Sequence, residues 1–359
     1  MSGLKSPCPP GPTDRLCRPV LKAPITNLEF LTSDPPNAAT PLKLLDGREL
    51  ALGDIYMRNN FSIPRSPANE VAVRTGERAF SLNLDELNRL PRVNVTTVLE
   101  CAGNGRAFMD PSPEGTPWNF GAVSTVRFGG TPLLDALGQI PDSVSELVFT
   151  GSDRGLVEPE GEVNYQFSLT PGLWDRAILA TRLGDDAIPI EHGGPVRLVV
   201  PGQYAMKSVK WLRAIDAVEQ PFTGHFVEKY RYFGDVDFPE GTPVGDLRVR
   251  SLIASPADGS TLRAGSVMVT GMAWGATSNL AAVDVSQDDG ETWSAAVTKP
   301  SGSPFAPVTW EKQLVLDPGV YVIAARATDS TGVVQPNEPR WNRNGYGNNV
   351  IQKVRLTIT

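Results

Sequence analysis

Apolar residues recur along this chain in two rhythms, and the change of rhythm divides it. In the first two thirds, short apolar runs stand at residues 95–99, 146–150 and 196–200. Runs of that length, bounded by turn-forming residues, read as buried strands. Residues 84–90 and 132–140 instead space their leucines and isoleucine at three and four, the helical period. Asp85 and Thr131 stand near the two helix starts, and Pro132 suits a first helical position. Glycine and proline punctuate the remainder, which predicts long loops. The mixture reads as an α+β fold.

Past Phe238-Pro-Glu-Gly-Thr-Pro the rhythm shortens to two. Alternating segments follow at residues 267–270, 282–286, 319–327 and 350–359, separated by the turn signals Pro256-Ala-Asp-Gly, Asp288-Asp-Gly and Asp317-Pro-Gly. Asp289-Gly290 between Val283-Asp-Val-Ser and Glu291-Thr-Trp predicts a hairpin. About seven short strands over roughly 110 residues predict an immunoglobulin-like sandwich. The antibody-type Cys…Trp…Cys spacing is missing, because no cysteine lies in this part. No internal repeat is found. The expected organisation is a Pro-rich N-terminal tail over residues 1–22, a mixed domain over 23–245 and an all-β domain over 246–359. A length of 359 residues suits two such domains.

Composition narrows the function. A net charge of −7 and a pI near 5.1 disfavour nucleic acid as a partner, which asks for a basic surface. An anionic substrate would need local arginines to overcome that field. Cysteines at 8, 17 and 101 make no disulfide framework. Histidines at 192 and 225 are too few for zinc sites of the three-His or Cys2His2 kind. No apolar run reaches 18 residues, so no membrane span is expected. The start of the chain lacks the apolar stretch of a secretory leader, so the reading is cytoplasmic, or periplasmic if a leader has been removed.

Cys101 carries the sharpest signal. Val95-Thr-Thr-Val-Leu-Glu-Cys-Ala-Gly-Asn-Gly-Arg reads as a buried strand running into a glycine-containing loop, with the cysteine at the strand exit. Such loops on a rigid scaffold are where chemistry concentrates. Ala102, Gly103 and Gly105 let a bulky group approach the backbone, and Arg106 raises the local positive potential, favouring thiolate. From these residues two other readings stand beside a metal ligand: a small buried hydrophobe, and a nucleophile with His192 as its base.

Glu100-Cys-Ala-Gly-Asn-Gly-Arg resembles the Cys-Ala-Gly-Asn motif of the sulfite oxidase family, which includes plant-type nitrate reductases. Further segments resemble that family in order: Gly115-Thr-Pro-Trp-Asn-Phe-Gly-Ala-Val-Ser, Tyr165-Gln-Phe-Ser-Leu, His192-Gly-Gly-Pro-Val-Arg-Leu-Val-Val-Pro-Gly, Lys207-Ser-Val-Lys-Trp-Leu and Asp329-Ser-Thr-Gly-Val-Val-Gln-Pro. The resemblance runs from about residue 40 to 359. It implies a molybdopterin-binding domain followed by an immunoglobulin-like dimerisation domain, hence a homodimer, and it makes Cys101 the thiolate ligand of molybdenum. It implies cofactor contacts from Tyr56, Met57, Arg58, Asn59, Asn60, Asp153, His192, Arg197, Ser208, Val209 and Lys210, and a substrate pocket of Arg58, Arg106, Trp118 and Tyr165. Arg197 and Lys210 have the chemistry for a phosphate, and Asp153 can accept from pterin N–H groups.

Two departures from the family pattern bear on the substrate. The family often has Arg-Asn-His where this chain has Arg58-Asn59-Asn60. A further arginine usually stands in a Trp-Asn-x-Arg-Gly segment, but here the text is Trp341-Asn-Arg-Asn-Gly. Arg343 is thus displaced by one position and Asn344 takes the expected place. The resemblance implies oxidation of sulfite to sulfate by oxygen-atom transfer. The departures leave sulfane sulfur, nitrate or a sulfoxide as alternatives. No His-Pro-Gly-Gly segment or helix-opening Gly-x-Gly-x-x-Gly occurs, so no haem, flavin or NAD is expected, and electrons would pass to an external acceptor, a cytochrome or oxygen.

Overall fold

In the computed structural model the described residues are 27–275 and 280–359; Cys8, Cys17 and the expected tail over residues 1–22 lie outside them. The run at 95–99 forms part of the strand Val93–Glu100, whose last four residues are buried. It closes one edge of an antiparallel sheet ordered Asp186–Ala187, Ile178–Leu183, Val123–Pro132, Val93–Glu100, with Arg197–Val199 also paired to Ile178–Leu183. A second sheet is ordered Arg78–Asn83, Glu70–Thr75, Leu212–Val218, Glu146–Val157, Gly161–Leu169. Its Glu70–Thr75 and Leu212–Val218 strands run parallel. The core around Leu147, Phe149, Leu212 and Ile215 is fully buried.

The later part of the chain forms two further sheets. One is ordered Arg250–Ser255, Gly265–Trp274, Val308–Leu316, Val297–Lys299, and the other Thr261–Leu262, Lys353–Ile358, Gly319–Asp329, Leu280–Ser286, Ser294–Ala295. Their inner faces meet over Val269, Trp310, Ile323 and Leu356, as in a face-to-face sandwich. Leu252, Met272, Trp274, Tyr346 and Val350 turn instead into the first core, so the two parts share apolar packing.

The balance of elements corrects the α+β expectation toward β. The α-helices among the described residues are Leu84–Arg89, Leu133–Leu137 and His225–Lys229, five or six residues each. The helix expected over 132–140 stops because Gly138 takes a positive φ of 67°. The one expected over 84–90 ends as Leu90, which precedes a proline, turns extended. The expected strand over 350–359 shrinks to Lys353–Ile358. The stretch before it is held by side-chain amides: Asn349 donates to the Val249 carbonyl at 2.9 Å, and the Gln352 oxygen accepts from the Ile253 N–H at 2.8 Å. The Asp289-Gly290 turn forms, with φ of 61° and 93°. Its return strand starts at Ser294 rather than 291, because the Asp288 carboxylate accepts from the Ser286 hydroxyl and the Thr292 N–H. Among the described residues no helix is long and apolar enough to cross a membrane.

Candidate active site

A cleft opens where strand ends and loops of the first part converge. Its wall includes Tyr56, Met57, Arg58, Asn60, Cys101, Asp153, Tyr165, His192, Arg197, Ser208 and Lys210. These are most of the residues singled out from the sequence, drawn from segments more than 150 positions apart.

Cys101 leaves the Val93–Glu100 strand with its N–H still donating to the Ala122 carbonyl at 2.9 Å, and its own carbonyl accepts from the Asn104 N–H at 3.0 Å, closing a tight turn. Gly105 continues with a φ of 85°. The free thiol is half-buried on the cleft wall. Among the described residues, no three His, Cys, Asp or Glu side chains converge as a ligand set. A metal at Cys101 must therefore bring its other ligands with it.

Burial, reinforced by Lys210 and Arg197, drives the His192 pKa down to about 3. The ring is neutral near pH 7. Its Nε2 lies 3.2 Å from the Leu52 carbonyl, which can only accept, so Nε2 carries the proton and Nδ1 is an acceptor. The Arg197 guanidinium donates to the His192 carbonyl at 2.7 Å and to the Ser208 carbonyl at 3.1 Å, and burial lowers its pKa to about 10. Lys210 donates to the Arg58 carbonyl at 2.9 Å and to Asn59 Oδ1, and burial lowers its pKa. Asp153 is raised to about 6 by burial, against the attraction of Lys210. The paired glycines after His192 are needed for contact: a Cβ on Gly193 would lie 2.6 Å from Lys210 Cβ, and one on Gly194 would lie 1.9 Å from the Ile188 carbonyl oxygen.

The cations Arg58, Arg197 and Lys210 give their hydrogens to carbonyls and amide oxygens rather than to carboxylates. Their charge is available to an anion. Asp153 Oδ1 and Arg197 Nε are buried without a hydrogen-bond partner, leaving an acceptor and a donor free. One soft thiol, unneutralised cations and unpaired polar atoms fit a group that carries a soft metal, a phosphate and a hydrogen-bonding heterocycle.

Five expected residues lie off this wall. Asn59 is buried beside it and accepts from Lys210. Val209 is buried in the first core. The Arg106 guanidinium is spent on the carbonyls of Asn344 and Thr116, at 3.0 and 2.8 Å, in a notch that side chains on Gly103, Gly115 or Gly345 would fill. Trp118 is fully buried, edge-on to Tyr56, with its N–H unpartnered. Arg343 lines a neighbouring outer cleft, which meets the inner one at Asn60. Tyr165 is on the wall, but its hydroxyl donates to the Met206 carbonyl at 2.7 Å. The structure adds residues that sequence reasoning missed, chiefly Tyr230, whose hydroxyl lies 3.5 Å from Asn60 Nδ2, and Glu191 and Met206. Tyr230 lies in a mixed basic and aromatic run without periodicity or motif, and no sequence signal marked it.

Comparison with known proteins bears on the family. Residues 62–226 match the oxidoreductase molybdopterin binding domain, and residues 242–359 match the Mo-co oxidoreductase dimerisation domain. The chain is 32% identical to the sulfite oxidase of Gallus gallus, over 89% of this chain and 75% of that protein. It is 30% identical to the mitochondrial sulfite oxidase of Homo sapiens (97% and 69%) and 28% identical to the sulfite oxidase of Arabidopsis thaliana (92% and 94%). Its fold is similar to that of the sulfane dehydrogenase SoxCD from Paracoccus pantotrophus, with a TM-score of 0.78 at 24% identity, covering 91% of this chain and 87% of that one. The chain belongs to the sulfite oxidase family of molybdenum-cofactor oxidoreductases.

Proposed function

We propose that this oxidoreductase converts sulfite to sulfate, with Cys101 as the protein's ligand to the molybdenum of a pyranopterin cofactor. The observation that carries this reading is one free thiol sharing a cleft wall with Arg58, Arg197 and Lys210, none of which gives a hydrogen bond to a carboxylate. Arg197 and Lys210 suit the cofactor phosphate. Asp153 and the unprotonated His192 Nδ1 suit heterocycle N–H groups, and Ser208 lies on the same wall. When bound, the cofactor supplies oxygen-atom transfer to sulfur and takes up two electrons.

The chain's own residues do the rest. Arg58, on the cleft wall and donating to Asn60 Oδ1 at 2.8 Å, is suited to neutralise an oxyanion there. Tyr165 stays protonated, since burial holds its pKa well above the usual phenol value, and its bond to Met206 fixes that wall. Tyr230 and Asn60 form the neck through which substrate passes. Arg106 acts as a buried brace beside the Cys101 turn, and Trp118 backs Tyr56 from behind the wall. Water supplies the fourth oxygen of sulfate, and two protons and two electrons leave. The electrons go to an external acceptor, a cytochrome or oxygen. The same reading divides the chain into a cofactor unit over 23–245 and a dimerisation unit over 246–359, giving a homodimer.

The test is steady-state oxidation of sulfite by molybdenum-loaded protein with cytochrome c, ferricyanide and oxygen as acceptors. Turnover with at least one is expected, falling to background in Cys101→Ser. Loaded protein inert toward sulfite with every acceptor overturns the substrate. A second reading, oxidation of a larger sulfur compound, is favoured by Asn344 in place of an arginine and by Arg343 lying in the outer cleft. A substrate panel with sulfite as competitor separates the two.

A further inference from the structure

The outer cleft holds a cation that the proposed chemistry does not use. Lys229 closes the short helix His225–Lys229 and lines this cleft with Asn60, Arg343 and Asn344. Asn60 belongs to both clefts, and the next residue after Lys229, Tyr230, is on the inner wall. Lys229 thus lines the outer cleft and Arg58 the inner one, and the two clefts meet at Asn60. Among the described residues its ammonium has no hydrogen-bond acceptor and no carboxylate; its contact is the Phe226 ring, 5.8 Å away. Its side chain is exposed on that wall, and partial burial, then the charges of Arg58 and Arg106, lower its pKa. The carboxylates on the same wall are mostly engaged. Glu228 is held by Arg231 through bonds of 2.9 and 3.0 Å, and Glu160 by His225 at 3.1 Å, which leaves Glu114.

We propose that Lys229 is a specificity-determining residue, binding a sulfur oxyanion at the neck together with Arg58. It supplies there the charge that Asn344 cannot. Like charges held together without a counterion are costly, and a dianion relieves them. This rests on the sulfite reading for the identity of the anion, but its test does not need turnover.

The probe is sulfate, titrated calorimetrically into cofactor-loaded wild type, Lys229→Met and Lys229→Arg. Loss of one charge-assisted contact is expected to weaken sulfate about tenfold in Lys229→Met, with Lys229→Arg within about threefold of wild type. If wild type oxidises sulfite, KM should rise in Lys229→Met by a similar factor while kcat holds. Arg343→Gln, farther out, should change sulfate affinity less than Lys229→Met. Unchanged sulfate binding in Lys229→Met, or an arginine variant as weak as the methionine one, overturns the proposal. Inert wild type that still loses sulfate affinity in Lys229→Met overturns the sulfite reading and not this one.

Discussion

His192 is kept neutral by its surroundings, and that has a consequence for stability. The folded protein resists protonating a ring whose pKa is driven from 6.5 to about 3, mainly by burial. The unfolded chain takes up that proton first. The contribution of His192 is thus fully present above pH 6.5 and is lost as pH falls toward 3, at up to about 1.4 kcal/mol per pH unit. Asp153 has the opposite sign: raised to about 6, its contribution is full below its ordinary 3.8 and is lost as pH rises through 6. Comparing wild type with His192→Gln isolates the histidine. The variant's melting temperature should fall less steeply than wild type's between pH 6.5 and 4.5. Parallel slopes would mean that the ring titrates freely in the fold. The residue type was legible in the sequence, but the tautomer was not, because it is set by Leu52, 140 positions away.

At the scale of elements, local pattern predicted existence better than extent. The leucine spacing at 84–90 located a helix, but its cap is Asn83 rather than Asp85. The Asn83 side chain accepts from the Glu86 N–H at 3.0 Å, and Glu86 accepts from the Asn83 N–H at 2.8 Å. In a helix of six residues this reciprocal pair satisfies a large share of the exposed amides. Asn83→Ala should cost about 1 kcal/mol in urea unfolding, and Asn83→Ser much less. Equal losses for the two would assign the effect to something other than the cap. Strand boundaries moved where side chains took over backbone partners, as Asp288 and Gln352 do. Alternation of apolar residues carries no record of such bonds.

Across the whole molecule, the turn that presents Cys101 is clamped by the later part of the chain. Gly347 donates its N–H to the Ala102 carbonyl at 2.7 Å, and the Asn348 amide donates to the Gly105 carbonyl at 2.7 Å. Beneath them, fully buried Glu100 accepts from Arg250 and Trp274 at 2.9 Å each and from Asn104 at 3.0 Å. Burial raises the Glu100 pKa while Arg250, Asn104 and Trp274 pull it back. Removing one member of such a pair strands a buried charge. Arg250→Met should destabilise the protein by about 3–5 kcal/mol, and adding Glu100→Gln should recover part of that. Calorimetric melting of the two singles and the double variant measures it. A loss below about 1 kcal/mol in Arg250→Met would show that the pair is not buried in solution.

In the sequence, a cysteine at a strand exit left several readings open; its motifs, through their resemblance to one family, pointed to the chemistry, and a switch from mixed to alternating pattern near residue 240 marked the two parts. These are local properties, carried by residues close together in the chain. The tertiary structure decided which of those residues share a wall. It turned Arg106 onto two carbonyls, set Arg343 and Lys229 in the outer cleft, and brought Tyr230 to the inner wall. That choice depends on where distant strands end and on which carbonyl competes for each donor. No pattern in a single segment encodes either.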